Sequence, residues 1–245
     1  MKKCALFLIP QNSTPFNHQK LAGDRSWWKV YEESFPSCEQ EPNEIILKSL
    51  RCGVGLSFRL RSQGCTVGIA TTHLLLQPPA VFLVYLAIDR DHRQQGLGRP
   101  LLEYACSTSA ARLGELGLEP LGMIWEADTI NDTQSVKAED RVRRVRFFER
   151  LGAFLLPNLY LQPPVDGIAP VRMQLMYRPA KGRQFPSNST VTALIRAIYF
   201  EKYGAVNHIP VETLNQLLVH IGCSASDRQT SCNPVIGVRS PGLYG

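Results

Sequence analysis

The sequence predicts a mixed α+β fold, and three stretches of the 245-residue chain carry that prediction. An unbroken apolar run at residues 80–88, AVFLVYLAI, lies between Gln77-Pro78-Pro79 and Asp89-Arg90-Asp91, the pattern of a buried strand. A short turn, Arg93-Gln94-Gln95-Gly96-Leu97-Gly98, leads from that strand into Leu101, Leu102, Ala105 and Cys106 at helical spacing. Upstream, residues 54–60 and 66–76 read as two strands joined by Arg61-Ser62-Gln63-Gly64 as a hairpin turn.

The turn after the central strand has a chemistry of its own. Two glycines one residue apart let the backbone curl so that several N–H groups converge at a helix N-terminus, where the macrodipole also favours an anion. Pro100 in the first turn gives up only an amide that has no helical partner. The dinucleotide fingerprint needs a third glycine where Leu101 stands, and the phosphate loop of nucleotide triphosphatases needs Gly-Lys-Ser/Thr, which is absent. A kinase glycine loop is followed by a strand, whereas a helix follows here. A tight strand-to-helix turn with no ligand is the plain alternative for a bare glycine pair.

With those excluded, Arg93-Gln94-Gln95-Gly96-Leu97-Gly98 resembles the acetyl-CoA motif of the GNAT acyltransferase superfamily, an apolar strand followed by Arg/Gln-x-x-Gly-x-Gly/Ala opening a helix. A second block, Arg146-Phe147-Phe148-Glu149-Arg150-Leu151-Gly152-Ala153-Phe154, resembles the family's R-F-Y-E-K-L-G-F and follows in the right order. The resemblance covers residues 1–178. It implies a twisted, mostly antiparallel sheet with a splayed central strand pair and flanking helices. The activity it implies is transfer of an acetyl group from acetyl-CoA to a primary amine of a small molecule or peptide.

The same resemblance implies site residues. The pantetheine arm would meet the backbone of Leu86, Ala87 and Ile88, and the pyrophosphate the loop Arg93, Gln94, Gln95, Gly96, Leu97, Gly98 and Arg99. Ile124-Trp125-Glu126-Ala127-Asp128 resembles the family's L-E-V-R segment, which makes Glu126 the matching general base. A carboxylate among apolar neighbours acquires a raised pKa suited to that work. Phe148 stands, on the cofactor side, where the family carries a tyrosine that protonates the departing thiolate. Tyr85, Tyr160 or solvent is left to replace it. The family's asparagine falls on Asn131 counted from Glu126 and on Arg141 counted from Phe148, so an insertion of about ten residues separates the two blocks, and Arg144 occupies the alanine slot. The missing tyrosine also motivates a second reading, an acyl-CoA-binding regulatory module with little or no transfer. A nucleic-acid reading of residues 141–150 lacks a recognition motif and mixes Glu149 into the basic run.

Taken in order, residues 1–9 form a first strand. Met1-Lys2-Lys3 and the apolar residues after it imitate a signal peptide but are too short and lack a cleavage site. Residues 11–24 are loop. Residues 26–35 form a helix that Ser26 caps, with Trp27, Val30 and Tyr31 inward and Pro36 as its stop. Glu32, Glu33, Glu39, Glu41 and Glu44 give this region an acidic cast, either a solvated face or an attraction for a cationic amine. Residues 45–52 are a helix ended by Gly53. His73 reads as a structural histidine of its strand.

After the central strand and its helix, residues 121–127 are a strand, 128–140 an exposed loop and 140–151 a helix. Arg143, Arg146 and Arg150 line one side of that helix, a solvated basic face or a contact for a 3′-phosphate. Residues 153–161 and 171–177 are two closing strands. The Pro/Gly/Ser-rich stretch 178–189 divides an acyltransferase domain, 1–178, from an extension, 179–245, with helices at 190–203 and 211–221 and an extended tail. The helices' apolar positions need a partner surface, the domain's acceptor cleft or a second copy.

The net charge of +6 permits anionic partners without choosing among them. Seven widely spaced cysteines, an odd number with no paired spacing, fit reduced thiols in the cytoplasm and give no metal site. No apolar run approaches the ~20 residues that span a bilayer. The expected particle is a monomer or homodimer with no nucleic-acid or membrane partner.

Overall fold

The computed structural model describes residues 17–128, 138–165 and 167–223. The expected first strand, most of the loop at 128–140 with Asn131, and the tail beyond Cys223 lie outside the described residues. Among the described residues seven strands form one sheet: β1 (Gly55–Ser62), β2 (Cys65–Leu76), β3 (Pro79–Ile88), β4 (Gly122–Asp128), β5 (Phe154–Leu155), β6 (Tyr160–Gln162) and β7 (Val171–Pro179). Their order is β1-β2-β3-β4-β7-β5, with β6 also on β7, and every pairing is antiparallel except β3 with β4. The β1–β2 hairpin closes as expected, on Gln63 and Gly64 at φ 50° and 87°, the positive values that match the right-handed twist of the strands it joins.

The expected strand at 153–161 is instead two short ones. Pro157 has no amide to give a ladder, and pairing on β7 resumes two residues out of step, Phe154 facing Tyr177 but Tyr160 facing Met173. That interruption sets which side chains of β6 face the interior.

Helices cover both faces. Alternation along β3 and β4 sends Val81, Leu83, Met123 and Trp125 to one side, where α4 (Gly98–Glu115) and α5 (Ala138–Glu149) add Leu101, Leu102, Ala105 and Val145. Ala80, Phe82 and Ile124 point the other way. There α6 (Asn188–Ala197), a π-helical turn (Ile198–Gly204) and α7 (Val211–His220) bury Val191, Leu194, Ile195, Ile198, Leu214 and Leu218 against them. A second group, α1 (His18–Ala22), α2 (Arg25–Ser34) and α3 (Asn43–Arg51), packs Trp27, Trp28, Tyr31 and Ile46 onto Ile69, Tyr85 and Ala87. Asp24, not Ser26, caps α2: its side chain accepts from the Trp27 amide at 3.1 Å and from the Ser26 hydroxyl at 2.6 Å. Gly53, at φ 72°, ends α3 in the left-handed conformation that a side chain resists.

The two helical groups are tied together by charge. Lys202 of the π-helical turn is 1% exposed and ion-pairs with Glu41, 4% exposed, in the segment before α3. Asn207 joins them, its Oδ1 2.8 Å from Lys202 Nζ and its Nδ2 donating to Glu41 at 2.6 Å. On the rim, Lys48 Nζ of α3 donates to the carbonyls of Ala205 and Val206 at 2.9 and 3.1 Å. His73, wholly buried with Ser49 Oγ 3.5 Å from its Nδ1, is pushed down to about 3 by burial and then by Lys202, so it is a neutral core residue as the sequence predicts.

Removing one partner from a buried ion pair strands the other, at a cost of about 3–5 kcal/mol. Lys202→Met is therefore expected to lower stability by about that amount in chemical denaturation, and Lys202→Met with Glu41→Met to recover most of it. Equal stability of Lys202→Met and the wild type would show that the tie contributes nothing.

Candidate active site

The site begins with a missing pairing. β3 and β4 are in register only over Val81–Leu83 and Met123–Trp125. β3 then continues with β2 and β4 with β7, each to its end, so the strands are held by their outer neighbours and part from each other. A bulge marks the fork: Thr72 faces Leu83 and Thr71 faces Tyr85, leaving Val84 as an extra residue that bends β3 away. Past Leu83 the β3 edge carries backbone groups with no strand partner among the described residues. Leu86, Ala87 and Ile88 lie on this edge.

At the mouth of the fork, Gln94 and Gly96 take φ of 61° and 76°, curling residues 93–98 into a cradle. No side chain caps the N-terminus of α4, and Arg93, Gln94, Gln95, Gly96 and Arg99 are exposed. Arg93 is partly occupied: its Nε donates to the Ile88 carbonyl at 3.0 Å and anchors the loop to the end of β3. A Cβ built at Gly98 meets the Phe147 ring at 3.3 Å, so the helix start lies close against α5. This combination of open strand edge and anion cradle at an uncapped helix suits an extended pantetheine arm ending in a pyrophosphate.

Beyond the fork is a pocket whose lining includes Phe35, Glu39, Tyr85, Trp125, Glu126, Arg144, Phe148 and Tyr203. Glu126 follows Ile124 on the face toward the C-terminal helices and is half-buried. Its carboxylate accepts from Tyr160 Oη at 2.5 Å, from Gln162 Nε2 at 2.7 Å, and from Tyr203 Oη at 2.8 Å to each oxygen. Tyr160 and Gln162 are two apart on β6 and so share a face. Burial pushes the carboxyl up to about 7, against the three hydrogen bonds that favour its charged form. Each oxygen thus carries two contacts, with the Tyr203 hydroxyl sharing its single proton between them.

Tyr85, expected as a substitute acid, lies in the wall of the pocket. Its hydroxyl donates to the Glu39 carbonyl and accepts from the Glu41 amide, both at 2.9 Å, and its ring sits edge-on to Tyr31 and Phe35 at 4.9 and 4.8 Å. Burial first, and then the Glu41 charge, holds its pKa well above that of an ordinary phenol. These two bonds pin the residue to the wall of the pocket. The Tyr160 hydroxyl likewise has a partner, donating to Glu126. Phe148 lies between Trp125 and Phe147, ring centroids 4.6 and 5.0 Å away, an apolar wall.

The charged residues also sort themselves. Of the acidic group, Glu41 is spent on Lys202, and Lys29 lies 3.9 Å from Glu33 on the exposed side of α2. On α5, Arg143 pairs with Glu139 and Asp140 on the exposed side, while Arg144 pairs with Asp128 at 2.6 Å on the rim of the pocket. Sequence reasoning missed Gln162, Lys202 and Tyr203. Lys202 had a legible signal, since a lysine falls on the buried helical stripe 191, 194, 195, 198, 199, 202, 203 and 206, where only a buried anion accommodates it.

Comparison with known proteins accords with this geometry. No curated protein matches the sequence. Among solved structures, a putative acetyltransferase of the GNAT family from Bacteroides thetaiotaomicron superposes with a TM-score of 0.61 at 19% identity, covering 78% of this chain and 98% of its own. The aminoglycoside 6′-N-acetyltransferase from Enterococcus faecium is 15% identical over 70% of this chain and 98% of its own, with a TM-score of 0.48. The first of these shows a shared fold. The model of the Acetyltransferase (GNAT) family matches residues 24–153, more than half of the chain, from the cap of α2 to the end of the block after α5. The protein belongs to the GNAT family of acetyltransferases.

Proposed function

We propose that the protein transfers an acetyl group from acetyl-CoA to a primary amine of a small molecule or peptide, with Glu126 as general base. The observation that carries this reading is a carboxylate poised near neutrality in the pocket where β3 and β4 part. A base works best with a pKa near the working pH, where it is both unprotonated and able to accept a proton. When bound, acetyl-CoA supplies an activated thioester carbonyl. The backbone of Leu86, Ala87 and Ile88 would line its pantetheine arm, and the amides of residues 94–99, with the Arg99 side chain, would hold its pyrophosphate. Strand amides are fixed by the sheet and stabilise a developing oxyanion without reorganising.

Glu126 takes the proton that the amine must shed as its nitrogen bonds to the acetyl carbon. The C–S bond breaks with its electron pair on sulphur, and the thiolate takes its proton from solvent, since Tyr85 and Tyr160 are both engaged. Phe148 and Trp125 keep the pocket apolar around the reacting atoms, which strengthens each charge interaction there. The free thiols of Cys52, Cys65, Cys106 and Cys223 support a reducing, cytoplasmic setting for the enzyme.

A Gly98→Glu variant puts a carboxylate and its bulk where the anion would lie and against Phe147. Acetyl-CoA affinity, read by calorimetry, is expected to fall at least about 100-fold while the circular dichroism spectrum is retained. Wild-type affinity would move the cofactor site elsewhere.

Glu126→Gln keeps the shape and removes the base, so kcat is expected to fall about 10²- to 10⁴-fold with little change in acetyl-CoA affinity. The same variant is expected to be the more stable protein above neutral pH. A buried carboxyl raised from 4.5 to about 7 destabilises the fold progressively as pH rises between those values and by a constant amount above, up to about 3 kcal/mol. Thermal melting at pH 5 and pH 8 reads that difference. An active variant that melts like the wild type at both pH values would dismiss Glu126 from the chemistry.

A further inference from the structure

The donor astride Glu126 comes from outside the segment that the family model matches. Tyr203 belongs to the π-helical turn, a form that occurs most often as short insertions at functional sites. Its ring is buried, 6.5 Å edge-on from Phe82 of β3, and its hydroxyl stands 2.8 Å from both carboxylate oxygens. Tyr160 holds one oxygen and Gln162 the other, and Gln162 Nε2 also reaches the Tyr203 hydroxyl at 3.3 Å. The carboxylate cannot turn about its last torsion without breaking these bonds. The next residue back in the same turn, Lys202, neutralises Glu41, which also lines the pocket.

We infer that Tyr203 is the positioning residue of the acetyl transfer: bridging both oxygens of Glu126, it fixes the one orientation in which the carboxylate meets the acceptor amine. This rests on Glu126 being the base. The C-terminal extension is then part of the catalytic apparatus, because its π-helical turn sets the base with one residue and holds the neighbouring wall with the other.

A neutral phenol that donates to a carboxylate favours its charged form, so losing the hydroxyl raises the Glu126 pKa. The other groups facing Glu126 are Tyr160 and Gln162 from β6, Tyr199 from the π-helical turn, and Glu41 with its partner Lys202. Glu39, Asp128, Arg141 and Arg144 line the same pocket. All of these are unchanged in a Tyr203→Phe variant, which keeps the ring contact with Phe82.

The test follows kcat/KM against pH for wild type, Tyr203→Phe, Glu126→Gln and the double variant, together with the ¹³C titration of the Glu126 carboxyl without substrates. Tyr203→Phe is expected to raise the acid limb and the Glu126 titration by about one pH unit and to cost roughly fivefold in rate at pH 7, with acetyl-CoA affinity intact. The acceptor's own titration is common to all four proteins. In the Glu126→Gln background the same change is expected to alter the rate by less than about twofold, because its route of action is gone. A fluorotyrosine in place of Tyr203 keeps the shape and donates more strongly, so it is expected to lower the limb, and this comparison serves if Tyr203→Phe fails to fold.

An unmoved Glu126 titration in Tyr203→Phe or the fluorotyrosine protein, or a rate loss that persists without Glu126, would overturn the proposal while leaving the base assignment standing. Wild-type activity of Glu126→Gln would overturn the base assignment first, and the role of Tyr203 with it.

Discussion

Everything distinctive about this molecule follows from β3 and β4 pairing for three residues and then separating. A strand edge without a partner is costly unless water or a ligand satisfies it, so the separation has to be enforced from outside. It is enforced by β2 and β7, whose ladders run on past the fork, and by the extra residue Val84, which turns β3 at the point of departure. The bulge also reverses the alternation of β3. Leu83 and Leu86 thereby face the α4 side, while Tyr85 and Ala87 face α1–α3. One inserted residue therefore opens the gap and aims the side chains on either side of it.

The second constraint is electrostatic. The seam where the two helical groups meet on one face of the sheet holds Glu41, Lys202 and, beside them, Glu126. Burying these charges opposes folding, and the structure answers in two ways. Glu41 and Lys202 neutralise each other and share Asn207. Among the described residues Glu126 forms no salt bridge. It is held by three neutral donors that only partly offset its loss of water, and its pKa stays near 7. The first arrangement favours one rigid geometry. The second leaves a group that changes charge easily, which is what proton transfer requires.

Glu126 was legible in the sequence because a glutamate stands between apolar residues on a strand in the family's order. The turn at residues 93–98 was legible because two glycines and a helix start leave few other conformations. Tyr85 shows what a local reading leaves out: it stands on the central strand at the fork, yet its hydroxyl is taken by the backbone at Glu39 and Glu41, which lie more than forty residues earlier in the chain. Nothing local to Tyr85 announces that bond. The split of the expected strand at 153–161 was signalled by Pro157, but its consequence, the turning of Tyr160 and Gln162 toward Glu126, depends on register against β7.

By itself the sequence determined what short-range physics determines: the longer strands and helices, though not α1 within the expected loop at 11–24 or the break at Pro157; where glycine permits a tight strand-to-helix turn; and which family pattern the two blocks share. Those are properties of neighbours within about ten residues, carried by periodicity and backbone freedom. The tertiary structure alone decided the surroundings of Glu126. Tyr160, Gln162, Tyr203 and the Lys202–Glu41 pair come from three distant stretches of chain, and a carboxylate's pKa is set by which donors, charges and apolar atoms are packed around it. Packing brings those groups together across separations of 34 to 161 residues, distances at which no local pattern constrains them.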